Sequence, residues 1–245
     1  MTKTFAMIAA LMLAAPATAQ DMTDAEREAF RAEVRAYLLE NPEVLTEAIQ
    51  VLEQRQAAAA QARDADLVQA NAEALFNSET SYVGGNPDGD FTVVEFLDYR
   101  CGYCKRAHPE VAALLDRDPG IRYVIKEYPI LGPESELAAQ YALAVQALAG
   151  DEIYYEVHNT LMELDSGITD AALTRISTAF GLDHAAVTAK MATPEIAAII
   201  AENRALAANL AISGTPSFVF DDQLLRGYVP LAQMEAIVAE LRADG

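Results

Sequence analysis

The chain has 245 residues, enough for one good core and an accessory domain. Its 37 acidic residues outnumber 17 lysines and arginines, a formal net charge of -20. Such a balance excludes nucleic acid or anionic lipid as a partner held by counterion release, and otherwise serves solubility.

Residues 1–19 read as a secretion signal. Lys3 gives a positive start, Phe5 to Ala15 a short apolar core, and Ala17-Thr18-Ala19 the small-x-small cleavage pattern, with cleavage before Gln20. No later run reaches the ~20 apolar residues that a membrane span needs. The expected product is a soluble protein exported to an oxidising compartment. There a cysteine pair is redox-active or bridged rather than half of a zinc site.

Residues 20–78 read as an N-terminal helical region and linker. Thr23-Asp24-Ala25-Glu26 matches a capping box that starts a helix at Asp24. Phe30, Val34 and Leu38 repeat at helical spacing, and Asn41-Pro42 breaks and restarts the helix. Leu45, Ile49 and Leu52 form a second stripe, after which Gln/Ala-rich sequence has helix propensity but little to bury. Two short amphipathic helices make no core alone. They pack on the following domain or on copies of themselves, and the polar rod after Leu52 favours the second.

Residues 79–245 read as one α/β domain. Gly84 to Gly89 is turn chemistry, and Phe91 to Leu97 reads as a strand. Next come Cys101-Gly102-Tyr103-Cys104, a helix to about Leu115, and a strand from Ile121 to Lys126. Strand, helix, strand at this spacing predicts a parallel βαβ unit. Residues of about 134–211 are helical in pattern. One face (Leu137, Tyr141, Val145) closes at Gly150, Asp170 caps a helix ending at Gly181, and Thr193-Pro194 starts a longer one. Ser217 to Phe220 and Leu224 to Arg226 form a hairpin around Asp221-Asp222, before a final helix from Leu231 to Leu241.

The two cysteines are the only ones in the chain. A disulfide between such close neighbours closes a tiny loop and braces the fold very little. The pair is therefore placed for chemistry. A thiolate at the first turn of a helix meets unpaired N–H groups and the positive end of the helix dipole, which lower its pKa. This is the layout of a dithiol–disulfide exchange site. Glu95 is the polar member of the strand face Phe91, Val93, Glu95, Leu97, where a carboxylate is costly unless paired. Lys126 on the neighbouring strand is its expected partner, and the two side chains should meet beneath the cysteines. His108 reads as a helix-surface residue, and His158 and His184 show no ligand spacing, so no metal site is expected.

The segment Glu95-Phe96-Leu97-Asp98-Tyr99-Arg100-Cys101-Gly102-Tyr103-Cys104-Lys105-Arg106, with Gly214-Thr215-Pro216-Ser217-Phe218, resembles the DsbA-type thioredoxin fold. It is most similar to the suppressor-of-copper-sensitivity C (ScsC) and Com1-like branch. The N-terminal helices look, more loosely, like the trimerising extension of some ScsC proteins. The resemblance implies a thioredoxin fold with a DsbA-like helical insertion. It makes Cys101 the attacking thiol and Cys104 the resolving thiol, and Glu95 the group that takes or relays the resolving thiol's proton. Gly102 and Tyr103, with the Thr215-Pro216 cis-proline loop, would bind substrate backbone. Arg100, Lys105 and Arg106 should favour the thiolate, while the lack of a histidine between the cysteines implies a milder oxidant than the strongest DsbA relatives.

The implied activity is periplasmic thiol–disulfide exchange, by preference isomerisation, with no cofactor beyond the Cys101–Cys104 disulfide. Partners would be unfolded or misoxidised secreted proteins, a membrane redox partner and, as a trimer, other copies of the chain. The alternatives are a monomeric dithiol oxidase and a Cu(I)-binding protein, since soft thiolates favour Cu(I). The chain carries no Met-x-x-Met or His-rich tract to complete a copper site.

Overall fold

In the computed structural model residues 22–244 are described, so the expected signal segment lies outside them. The chain divides into two compact units, one ending at Gln56 and the other running from Ala57. In the first, α1 (Asp24–Glu40) starts at the expected capping box, with Thr23 and Glu26 bonding reciprocally. Its last turn is capped by Asn41, and after Pro42 the chain re-enters helix as α2 (Glu43–Ala70). No residue of α1 is buried, and Phe30, Val34, Leu45, Ile49 and Leu52 are all exposed.

The second unit is built on five strands, β1 (Tyr82–Gly85), β2 (Phe91–Leu97), β3 (Ile121–Glu127), β4 (Ser217–Phe220) and β5 (Gln223–Arg226). They lie in the order β1-β3-β2-β4-β5. The expected βαβ unit is present: β2 and β3 are parallel, and α4 (Gly102–Arg117) crosses between them. The hairpin β4–β5 joins β2 antiparallel, with Ser217 opposite Phe96.

Strand β1 is absent from the sequence reading. Its two glycines resemble a turn, yet it pairs antiparallel to β3 at the sheet edge. Gly85 has φ +63°, and a Cβ there would lie 2.5 Å from the Ile121 carbonyl oxygen, so the glycine serves a close backbone approach within a pairing strand.

Alternation along β2 and β3 gives the sheet two covered faces. Phe91, Val93, Leu97, Tyr123 and Ile125 pack with α4, with α5 (Pro133–Glu163), α6 (Asp170–Ala179) and α7 (His184–Met191), and with α9 (Leu231–Asp244). Val94, Phe96 and Val124 pack on the other side with Val68 of α2, Leu75 of α3 (Ala72–Phe76) and Leu206 of α8 (Pro194–Asn209). The far end of the Gln/Ala-rich rod therefore does bury apolar surface. Helix α5 breaks at Gly150, whose φ is +84°. Thr169, one residue before the expected Asp170, caps α6.

The register also corrects the expected Glu95–Lys126 pair. Glu95 lies opposite Ile125, and Lys126 lies opposite Phe96. A one-residue offset puts two strand side chains on opposite faces. Lys126 is buried, but its Nζ donates to the Ala74 carbonyl at 2.6 Å and Ser81 Oγ at 2.7 Å, tying α3 to the sheet. Burial pushes its pKa down to about 8. Lys126→Met would leave both acceptors without their donor. It should lower the unfolding free energy by about 1–3 kcal/mol in urea titrations. Cys101 reactivity should not change, and a matching loss of thiol exchange would return Lys126 to the site.

Candidate active site

The two cysteines sit where β2 hands over to α4. Cys101 is the N-cap of α4, and Cys104 lies one turn in. Both are reduced thiols, and they differ in access: Cys101 is 7% exposed and Cys104 0%. Because β4 runs antiparallel beside β2, the loop before it arrives next to the cysteines. There the Thr215–Pro216 peptide bond is cis, and Cys101 Sγ lies 3.1 Å from the Thr215 carbonyl oxygen, to which it donates only in its protonated form.

The electrostatics separate the thiols sharply. Cys101 is pushed down to about 5, chiefly by the Cys104 thiol donating to it. Burial opposes the shift. The Thr215 side chain and the backbone N–H groups of Cys104 and Tyr103 support it, as the start of a helix should. Cys104 is driven far above an ordinary thiol by burial, by its bond to Cys101 and by the charge of Glu95. Such a pair is held as thiolate and thiol, which is the chemistry of a dithiol that exchanges with disulfides. A value near 5 lies below an ordinary thiol but above the ~3.5 of DsbA, in line with the missing histidine.

Three expected cations contribute less than their positions imply. Arg100 Nε pairs with Glu134 at 3.1 Å, the Lys105 ammonium donates to the Leu164 carbonyl, and Arg106 lies 4.6 Å over the Tyr228 ring. None is among the main causes of the Cys101 shift. Tyr103 is 61% exposed and lies near Tyr228, with ring centroids 6.3 Å apart. A side chain at Gly102 would meet nothing within 4 Å. Gly102 and Tyr103 thus follow Cys101 in the first turn of α4, and the Thr215 carbonyl lies beside its Sγ.

Glu95 is 2% exposed and is pushed up to about 7 by burial, against the hydrogen bond it accepts from the Tyr123 hydroxyl. Tyr123 takes the place expected for Lys126. The sequence reading also passed over Asp98. Its carboxylate accepts from the N–H groups of Arg100 at 2.8 Å, Ile130 at 2.8 Å and Leu131 at 3.0 Å, anchoring the loop that carries Cys101. The signal was an acid just past a strand end and three residues before the first cysteine, a common site for side chain–backbone bonding. His108 is half-buried against His158, with ring centroids 5.2 Å apart. Among the described residues no three His, Cys, Asp or Glu side chains gather as metal ligands.

The description "DSBA-like thioredoxin domain" matches residues 92–239. The chain belongs to this family. A second family, the "copper resistance protein ScsC N-terminal domain", matches residues 26–59. Among solved structures, the chain is similar to a thioredoxin-like oxidoreductase from Silicibacter pomeroyi DSS-3. Identity there is 42%, with 70% of this chain and 97% of that chain covered and a TM-score of 0.66. Proteus mirabilis ScsC in a transitional conformation is 30% identical, covering 91% of this chain and 98% of that chain at a TM-score of 0.66. The DsbA-type, ScsC-like assignment and the thioredoxin fold with its helical insertion therefore stand. A curated relative, Na(+)/H(+) antiporter NhaA 3 of Salinispora tropica, is 29% identical over 175 residues, 68% of this chain. The chain spans only 26% of that antiporter, and none of the described helices is long and apolar enough to cross a membrane.

The folded Cys101 lies below its ordinary value of 9.0, at about 5. A depressed pKa gives stability that is complete above the unfolded value and lost as the pH falls through the folded one. Reduced protein should therefore melt progressively higher than oxidised protein as the pH rises from 5 to 9. The difference should level off below 5. A difference that stays constant across this range would show that Cys101 is not a stabilised thiolate.

Proposed function

We propose that this chain is an exported, periplasmic thiol–disulfide oxidoreductase that by preference isomerises disulfides in secreted proteins. The observation that carries this reading is the asymmetry of the pair, a Cys101 pushed towards thiolate beside the Thr215 carbonyl and a Cys104 held as a thiol. The Cys101 thiolate attacks one sulfur of a substrate disulfide. That S–S bond breaks, a Cys101–substrate disulfide forms, and the other substrate sulfur leaves as a thiolate. If this thiolate attacks a second wrong disulfide, and the different substrate thiolate freed there attacks the substrate sulfur of the mixed disulfide, Cys101 leaves as a thiolate and the substrate is isomerised. If Cys104 attacks Cys101 instead, it loses its proton, the substrate leaves as a dithiol, and Cys101 and Cys104 are joined. Glu95 is the proton acceptor for that step, being buried on the Cys104 side with a value near neutrality. In the reverse direction the same pair oxidises a substrate dithiol, and a membrane redox partner would set the direction.

A thiolate can attack a substrate already held by backbone pairing to the loop at Thr215 and Pro216. Cys104→Ala should accumulate mixed disulfides on non-reducing gels, and Cys101→Ala should not. The opposite pattern would reverse the roles. Glu95→Gln should slow formation of the internal disulfide by roughly 100- to 10,000-fold, the loss expected for a proton-transfer group. Its melting temperature should change little. An unaltered rate would remove Glu95 from the proton path.

The preference for isomerisation rests on the N-terminal helices. Their apolar residues Phe30, Val34, Tyr37, Leu45, Ile49 and Leu52 are 41–60% exposed, a liability unless copies of the chain cover them. Several catalytic domains held around one space keep a misfolded substrate at high effective concentration while it rearranges. Deleting residues 20–56, which leaves the second compact unit whole, should give a monomer that still exchanges disulfides but reactivates scrambled ribonuclease poorly. A full-length mature chain that is monomeric by light scattering would favour the dithiol oxidase.

A further inference from the structure

Glu127 has no part in the reading above, yet it is 2% exposed and closes β3 directly opposite Leu97. That register places it on the same sheet face as Glu95. Its Oε1 accepts from the hydroxyls of Tyr99 and Tyr154, each at 2.7 Å. Its Oε2 has no partner among the described residues. Tyr99 Oη also meets His158 Nδ1 at 3.1 Å. Since the Tyr99 proton lies towards Glu127, His158 is the donor in that contact, which assigns its ring proton to Nδ1. The Glu127 backbone is fixed too, its carbonyl accepting from Asn203 Nδ2 at 3.1 Å.

Tyr99 stands two residues before Cys101, within the loop that delivers the thiol to α4. Three side chains could hold this loop. Arg100 does so through a half-exposed ion pair, which is weak in water. Asp98 holds the beginning of the loop to the backbone at Ile130 and Leu131. Tyr99 holds its middle, and the anchor for Tyr99 is Glu127.

We propose that Glu127 is a positioning residue for the Cys101 thiolate, acting through Tyr99 and in its neutral, protonated form. The inference rests on Cys101 being the reactive thiol. A buried carboxylate with one oxygen unpaired is strongly disfavoured. Facing the carboxyl are Tyr99 from the loop, Tyr154 from α5, and the acids Asp98 and Glu95 of β2 and its end. Beyond Tyr99 lies His158, kept neutral by burial and by His108. Burial, with the charges of Asp98 and Glu95, pushes Glu127 up to about 8 against the two tyrosine bonds. The thiolate depends on the Cys104 thiol, the Thr215 side chain and two N–H groups of the first turn. Each requires Cys101 to be held in place. A loosened loop weakens them together and raises the thiol's pKa.

A neutral acid can be replaced by an amide, and an ionised one cannot. The test is the Cys101 titration, read from thiolate absorbance, and the reduction potential against glutathione, both set beside the melting temperature. Glu127→Gln should titrate as the wild type does. Glu127→Leu and Tyr99→Phe should raise the Cys101 pKa by about one unit, a tenfold loss of thiolate at acidic pH, and should make the disulfide less oxidising. Tyr154→Phe removes a bond to Glu127 but leaves the link to Tyr99, so it should lower the melting temperature without moving the titration. Tyr99→Phe keeps the buried ring and carries the test if Glu127→Leu does not fold. Lower melting temperatures with an unshifted thiol would reduce Glu127 to a structural role and overturn the proposal. A Gln variant that behaves like the Leu variant would overturn the neutral form. Failure of wild-type Cys101 to react at all would instead defeat the reading of the site itself.

Discussion

The side-chain alternation of β2 and β3 is the constraint on which this site depends. Two parallel strands, paired in register, send every second residue to the α4 side of the sheet. Glu95, Tyr123 and Glu127 go that way, with the cysteines. Lys126 goes the other way and serves α3. Had the pairing slipped by one residue, a lysine would neutralise Glu95, and a permanent carboxylate would sit below Cys104. As built, Glu95 has a tyrosine for company, so its charge is adjustable near neutral pH rather than fixed.

This adjustability bears on Cys104. A buried thiol beside a carboxyl group ionises only if the proton has somewhere to go and the product charge is not trapped next to another. In the proposed mechanism Glu95 holds that proton, so Cys104 would be used when Cys101 carries a substrate and would otherwise be idle. The same burial that raises Cys104 therefore slows resolution and lengthens the life of a mixed disulfide. On the proposed isomerase reading, a substrate with several cysteines would then have time to displace Cys101 with one of its own.

Much of this was legible in the chain. The Cys-x-x-Cys at a strand–helix junction and the βαβ spacing are local patterns, and both hold in the structure. The Thr-Pro before the hairpin is a further local pattern, and the structure places it beside Cys101. Partnering across strands was less legible. Glu95 was visible as an acid on an apolar face, but choosing Lys126 required the β2–β3 register, which sequence spacing does not fix. Strand β1 was hidden because Gly84 and Gly85, the second required by a close approach to Ile121, look like turn residues. Asp98, Tyr99 and Glu127 were missed because their roles arise from contacts with residues 28 to 33 positions away.

The cations around Cys101 show how position can mislead. Arg100, Lys105 and Arg106 flank the pair, and in a chain of net charge -20 they look like the source of thiolate stability. Each is instead engaged elsewhere, with Glu134, the Leu164 carbonyl or the Tyr228 ring. Exposed charges are screened by water and salt, whereas a hydrogen bond from Cys104 and N–H groups fixed by the helix act at contact distance. Stabilisation from fixed short-range donors is sensitive to geometry and nearly indifferent to ionic strength. It places the control of Cys101 in the rigidity of the loop before it. That rigidity comes from buried groups on the neighbouring strand and its flanking turn.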